Sequence, residues 1–153
     1  MAEFFEGLTD EQIKTLKDSV AWITVLIAGA DGVIDESEIA WAGKLTNIRS
    51  YAAPERIKPF YSKVGEDFQD VLSNVIQTSP ADTKERTEYL TSKLSQLNTI
   101  LPLMSHDVAA DLYQSFLSFA KHIAKSSGGF LSFMSVGADE KELLGLDMIN
   151  PIK

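Results

Sequence analysis

The chain has 153 residues, a length that suits one domain spanning residues 1–153 and lets about 68–70% of the unfolded surface be buried. Twenty-two acidic against 14 basic residues give a net charge of -8, which argues against nucleic acid and anionic lipid as partners, because both are held by clustered Lys and Arg. Cys is absent, so disulfides, thiolate metal sites and Cys nucleophiles are excluded.

The N-terminal run Met-Ala-Glu-Phe-Phe-Glu-Gly carries acids where a secretory leader needs basic residues and a longer apolar core. The longest apolar run, Val20 to Ala30, is interrupted by Thr24 and is too short to span a bilayer. A cytoplasmic location without membrane insertion is expected. Thr9-Asp10-Glu11-Gln12 fits a capping box and predicts a helix start. Ile13, Leu16, Val20, Ile23, Ile27 and Ala30 then recur at steps of three and four, which is one helix face. From Val20 onward the remaining faces are apolar too, and a helix that is apolar all round is a buried one. This segment is expected to be the central helix, with Trp22 inside the core.

Asp35 is expected to open the next helix, with Ile39, Ala42, Leu45 and Ile48 on one side. Pro54 and Pro59 restrict their predecessors, so Tyr51 to Pro59 reads as irregular or as a short helical turn. Phe60, Val64, Phe68, Val71, Leu72 and Val75 form another stripe, bent at Gly65. Ser79-Pro80 stops it, with Ser79 expected to cap the following helix. Leu90, Leu94, Leu97 and Leu101 give that helix its core face, and Pro102 ends it. Ser105 starts a helix with Ala109, Leu112, Phe116, Phe119 and Ile123 inward, broken at Ser126-Ser127-Gly128-Gly129. A last helix is expected from Asp139 to Ile149. No segment alternates at period two for long, so the fold class is all-α, with about six to eight helices and no sheet.

Within this layout Asp31, Asp35, Glu36 and Glu38 fall in one short turn, and no basic residue follows before Lys44. Asp31-Gly32 with Glu38 matches the second half of a calcium-loop pattern, in which the glycine permits the turn and the final Glu can bind through both oxygens. The earlier ligand positions fall on Ile27 and Gly29, which have no side-chain oxygen, so a complete EF-hand loop is ruled out. Two readings remain. In one, Asp35 caps the helix, Glu38 reaches back and Glu36 favours the positive helix end. In the other, these acids hold a divalent cation with carboxylates supplied from elsewhere.

The second glycine-bearing segment, Ser127 to Gly137, is apolar for a loop. No Lys-Ser/Thr follows its glycines, so it does not read as a phosphate cradle. Phe130, Phe133 and Met134 read as a core plug, with ligand or partner docking as the alternative. His106 and His122 are the only histidines and lack metal-ligand spacing; both read as structural or surface residues. No serine sits in a nucleophile elbow. With no legible nucleophile–base pair, an enzyme is the least favoured class.

The run Ala28-Gly29-Ala30-Asp31-Gly32-Val33-Ile34-Asp35-Glu36-Ser37-Glu38, entered from an apolar helix, resembles the first signature of the TerB-like tellurite-resistance family. Gly128-Gly129-Phe130-Leu131 followed by Asp139-Glu140-Lys141 resembles the second, and the spacing between them agrees. The resemblance implies a compact helical array with pseudo-twofold helix-loop-helix halves. It implies a non-enzymatic bacterial protein of tellurite resistance and stress response that binds a divalent metal, calcium first, and works with other stress-response or tellurite-resistance proteins, membrane-associated ones among them. The acids that match are Asp31, Asp35, Glu38 and Glu140, with Asp139 as alternate. The chain departs from the family where Gly137-Ala138 replaces the usual hydroxyl cap. A helical interaction module with structural acids and no metal is the competing reading.

Overall fold

A computed structural model describes residues 5–30, 34, 36–125 and 143–152. The described residues form seven α-helices and two short 3-10 turns, and none of them is in a strand. The helices are α1 (Asp10–Ala28), α2 (Glu36–Ala52), α3 (Lys58–Gly65), α4 (Phe68–Thr78), α5 (Thr83–Ser95), α6 (Leu97–Ile100) and α7 (His106–Lys125).

Helix α1 begins at the capping box. Gln12 N–H donates to Thr9 Oγ1 at 3.1 Å, and Thr9 N–H donates to Gln12 Oε1 at 3.0 Å, so two otherwise orphaned donors are satisfied. From Ser19 to Ala28 every residue is buried, Trp22 included at 8% exposure. The two buried hydroxyls in this stretch bond back to their own helix, Ser19 to Leu16 O and Thr24 to Val20 O, so burial leaves neither donor stranded. Helix α1 packs against α2, α3, α4, α5, α6 and α7, which makes it the axis of the fold.

The other stripes are buried as their spacing predicts, except that Ile39, Ile48 and Val71 are half-buried. Leu90, Leu94, Leu97 and Leu101 are all buried, as are Ala109, Leu112, Phe116, Phe119 and Ile123 on α7. The bend at Gly65 is a full break between α3 and α4, and Phe60, Val64, Phe68, Leu72 and Val75 are buried on either side of it. An aromatic cluster of Phe60, Tyr61 and Phe116, with edge-on ring contacts at 5.2 and 6.0 Å, joins α3 to α7.

Four boundaries differ from the sequence reading. The helix read through Leu101 breaks at Gln96 into α5 and α6, and Pro102 lies inside a 3-10 turn, Leu101–Leu103, rather than ending a helix. Helix α2 runs on through Tyr51 to Ala52, and Pro59 sits in the first turn of α3, where its missing N–H costs nothing. Ser79 does not cap α5. Its hydroxyl turns back to Val75 O at 2.6 Å, and Asp82 takes the cap, accepting from Glu85 N–H at 3.0 Å. The helix expected to reach Ile149 is not continuous there. Leu146 has φ of 45°, left-handed backbone that an α-helix does not contain, and three-residue turns close on Leu143 O and Leu146 O instead. Leu146 and Ile149 are still buried. The segment is tied down by Asn98, whose Nδ2 donates to Met148 O at 2.9 Å and whose Oδ1 accepts from Asn150 N–H at 2.7 Å.

Candidate functional site

The acidic stretch follows α1 in sequence, and the C-terminal end of α1 is built around an arginine from α5. Arg86, 6% exposed, donates through Nη2 to Gly29 O at 2.8 Å and through Nη1 to Ala81 O at 3.3 Å. A helix C-terminus carries partial negative charge and unsatisfied carbonyls, and α1 has no basic residue of its own in its last turn. Arg86 supplies both the charge and the donor. It also explains Gly29, whose φ of -102° any residue could adopt. A Cβ there would lie 2.8 Å from Arg86 Nη2, so a larger residue would have to push the guanidinium aside.

Of the residues proposed from sequence as ligands, Glu38 is described, and Asp31, Asp35, Asp139 and Glu140 lie outside the described residues. Phe130, Phe133 and Met134 lie outside them as well. Glu38 stands in the first turn of α2 and is 1% exposed. Ile34, just before α2, packs against the main core and fixes the approach of the chain to this helix. A carboxylate this enclosed has to be compensated by hydrogen bonds or by a cation, because an uncompensated buried charge is expensive. Its oxygen chemistry suits calcium or magnesium. Among the described residues no three His, Asp or Glu side chains are grouped so as to hold a metal ion. Both histidines are exposed, in keeping with their reading as surface residues.

Sequence patterning missed a second polar cluster, where α2 meets α7. Arg49 Nη1 donates to Ser115 O at 2.8 Å and Ser115 Oγ at 2.7 Å, with Tyr61 Oη at 3.3 Å. Its Nη2 donates to Ser118 Oγ at 2.9 Å. The guanidinium carbon lies 5.5 Å from the Tyr61 ring centre and 5.3 Å from that of Phe119, distances at which a cation is attracted to an aromatic face. Tyr61 and Ser115 share a short hydroxyl–hydroxyl hydrogen bond beneath it. Burial pushes the Tyr61 phenol above its ordinary value of 10.0, while Arg49 and the bonds to Ser115 and Arg49 pull it back down. The His122 imidazole is held below 6.5, first by partial burial of its ring and then by the charges of Arg49 and Lys125.

Arg49 lines a groove of about 550 Å³ between α2, the turn at Ala53-Pro54 and α7. Trp41, Ile48, Ala52 and Pro54 form part of its apolar wall; Ser115, Ser118 and His122 stand on the other side.

No family model, no curated protein and no solved structure matches this chain. No helix among the described residues is long and apolar enough to cross a membrane.

Proposed function

We propose that this protein is a non-enzymatic adaptor of the tellurite-resistance and stress-response type that binds a divalent cation at the turn between α1 and α2. Asp31, Asp35 and Glu38 would supply oxygen ligands from the first motif, and Glu140, or Asp139 in its place, would complete the set from the second. Calcium is the expected ion, and the partners are other stress-response or tellurite-resistance proteins. The observation that carries this reading is Glu38, a carboxylate 1% exposed at the start of a helix, preceded within seven residues in sequence by Asp31 and Asp35. The two short motifs add the family resemblance.

Affinity is expected on the order of 10⁻⁵–10⁻³ M, because two of the usual calcium-loop ligands are missing and water must replace them. The same acids serve the interaction-module reading as helix caps. In that case Asp35→Ala costs about 0.5–2 kcal/mol whether or not metal is present. Thermal melting of wild type and Asp31→Asn, with and without millimolar calcium, separates the two. A calcium-dependent rise in Tm that Asp31→Asn abolishes supports the metal site. No rise with calcium, magnesium, manganese or zinc would sink it and leave the interaction module.

A further inference from the structure

Arg49 is a half-buried cation with no carboxylate within ion-pair distance among the described residues. That is notable in a chain with a net charge of -8. Its neighbours are hydroxyls, one carbonyl and two aromatic rings, which hold the guanidinium in place without neutralising it. A guanidinium has five N–H donors. The bonds described use both protons of Nη1 and one of Nη2, so Nε–H and the second Nη2–H have no acceptor among the described residues. Asp111 stands on the groove wall but is engaged by Arg56, at 3.1 Å from Nε. His122 adds no negative charge.

The groove beside this cation has the size of a small-molecule site, about 300–1,000 Å³ being usual. Its apolar wall would be left wet by an inorganic anion, and a neutral apolar ligand would strip water from the guanidinium without replacing it. An organic anion satisfies both sides. We propose that the groove between α2 and α7 binds a small carboxylate with an apolar body, its carboxylate on Arg49 and its body against Trp41, Ile48 and Pro54. Arginine suits this role because its planar fork can give a carboxylate two parallel hydrogen bonds. The proposal rests on the α2–α7 geometry and is independent of the metal reading.

The test is an NMR titration of the isotope-labelled full chain with phenylbutyrate, with phenylbutyramide and acetate as comparison ligands. Phenylbutyrate should give saturable shifts confined to the groove segments 41–54 and 111–122. The neutral amide, lacking the charge, and acetate, lacking the apolar body, should each bind at least about tenfold more weakly. Arg49→Gln should weaken phenylbutyrate binding by roughly tenfold to hundredfold, the loss expected for hydrogen bonds to a charged group. Because Arg49 also joins α2 to α7, a second variant guards against misfolding. Ala52→Trp, at an exposed position on the groove wall, fills the space without touching the Arg49 bonds and should abolish saturable binding. The proposal is overturned by no saturable shift at millimolar phenylbutyrate, by equal affinity for the amide, or by unchanged binding in folded Ala52→Trp.

Discussion

Two arginines sit at the two ends of the functional question. Arg86 is enclosed and donates to backbone carbonyls at the end of α1. The helix dipole compensates its charge, and its place is reserved by a glycine. Arg49 is half-buried, donates mostly to side-chain oxygens, stacks on two rings and borders open space. Neither is ion-paired among the described residues, yet the environments differ in what they leave to be done. Arg86 also keeps N–H groups with no acceptor among the described residues, but it is enclosed, at 6% exposure. Around Arg49 there are donors to spare and a space beside them. A buried cation is therefore not informative by itself; what matters is whether open space stands beside its spare donors.

The largest expected effect tests the scaffold both arginines depend on. Trp22→Ala should destabilise by about 3–5 kcal/mol in chemical denaturation, as removal of a large buried aromatic from a packed helix does. A loss below about 1 kcal/mol would show that α1 is not the axis of the core. The comparison itself is tested by Arg86→Met against Arg49→Met. The first strands Gly29 O in the interior and should cost about 2–3 kcal/mol, within the range for an unsatisfied buried carbonyl. The second leaves hydroxyls that can turn to each other or to groove water, and should cost about 1 kcal/mol. If the order is reversed, the assignment of Arg86 as the structural cation is wrong. Gly29→Ala should cost about 1–2 kcal/mol through overpacking, and nearly nothing when Arg86 is already Met; additive losses would mean that the clash is with something else.

The smallest effect is on proton binding. His122 titrates below 6.5 in the folded chain, so the unfolded chain binds the proton more readily between the two values. Stability should therefore fall as pH drops below 6.5 and level off below the folded pKa. NMR titration of the ring follows it directly. Arg49→Met should move the midpoint back up toward 6.5, and an unmoved midpoint would show that the charge of Arg49 does not reach the far wall of the groove.

Much of the fold was legible because it is local. The Thr9–Gln12 box, the all-round burial of α1 and the inward face of α7 each follow from spacing within one helix, and the leucine stripe through Leu101 keeps its spacing across the break between α5 and α6. The cap of α5 was legible too, but it was misassigned. Asp82-Thr83-Lys84-Glu85 offers a better N-terminal signal than Ser79-Pro80, because Asp is followed three residues later by Glu. The end of the chain misled for a different reason. Leu143, Leu144, Leu146 and Ile149 look helical by composition, but their burial comes from turns held by Asn98, more than forty residues away in sequence. Arg49 and Arg86 carried a signal that went unread. Arg49 continues the Ala42–Leu45 register of α2 by a step of four, and Arg86 stands one step of four before Leu90. A charge on a core stripe needs a partner, but only tertiary contact shows that Arg49 meets residues 66 to 69 positions away. Of the acidic site's proposed ligands, Glu38 alone lies among the described residues, and its enclosure depends on tertiary packing that spacing along the chain does not encode.

The Asn98 clamp has a consequence for how the molecule opens. One side-chain amide takes both a carbonyl and an N–H from the terminal segment, while Leu146 and Ile149 are sunk into the core on either side. A tail held this way should not fray residue by residue, since the amide that bonds Asn150 also bonds Met148 between the two buried side chains. Its amide protons should exchange with solvent in step with those of α6, as one cooperative unit. Asn98→Ala, by removing two bonds and no apolar contact of the tail, should uncouple the exchange of Asn150 from that unit while Leu146 and Ile149 hold the rest.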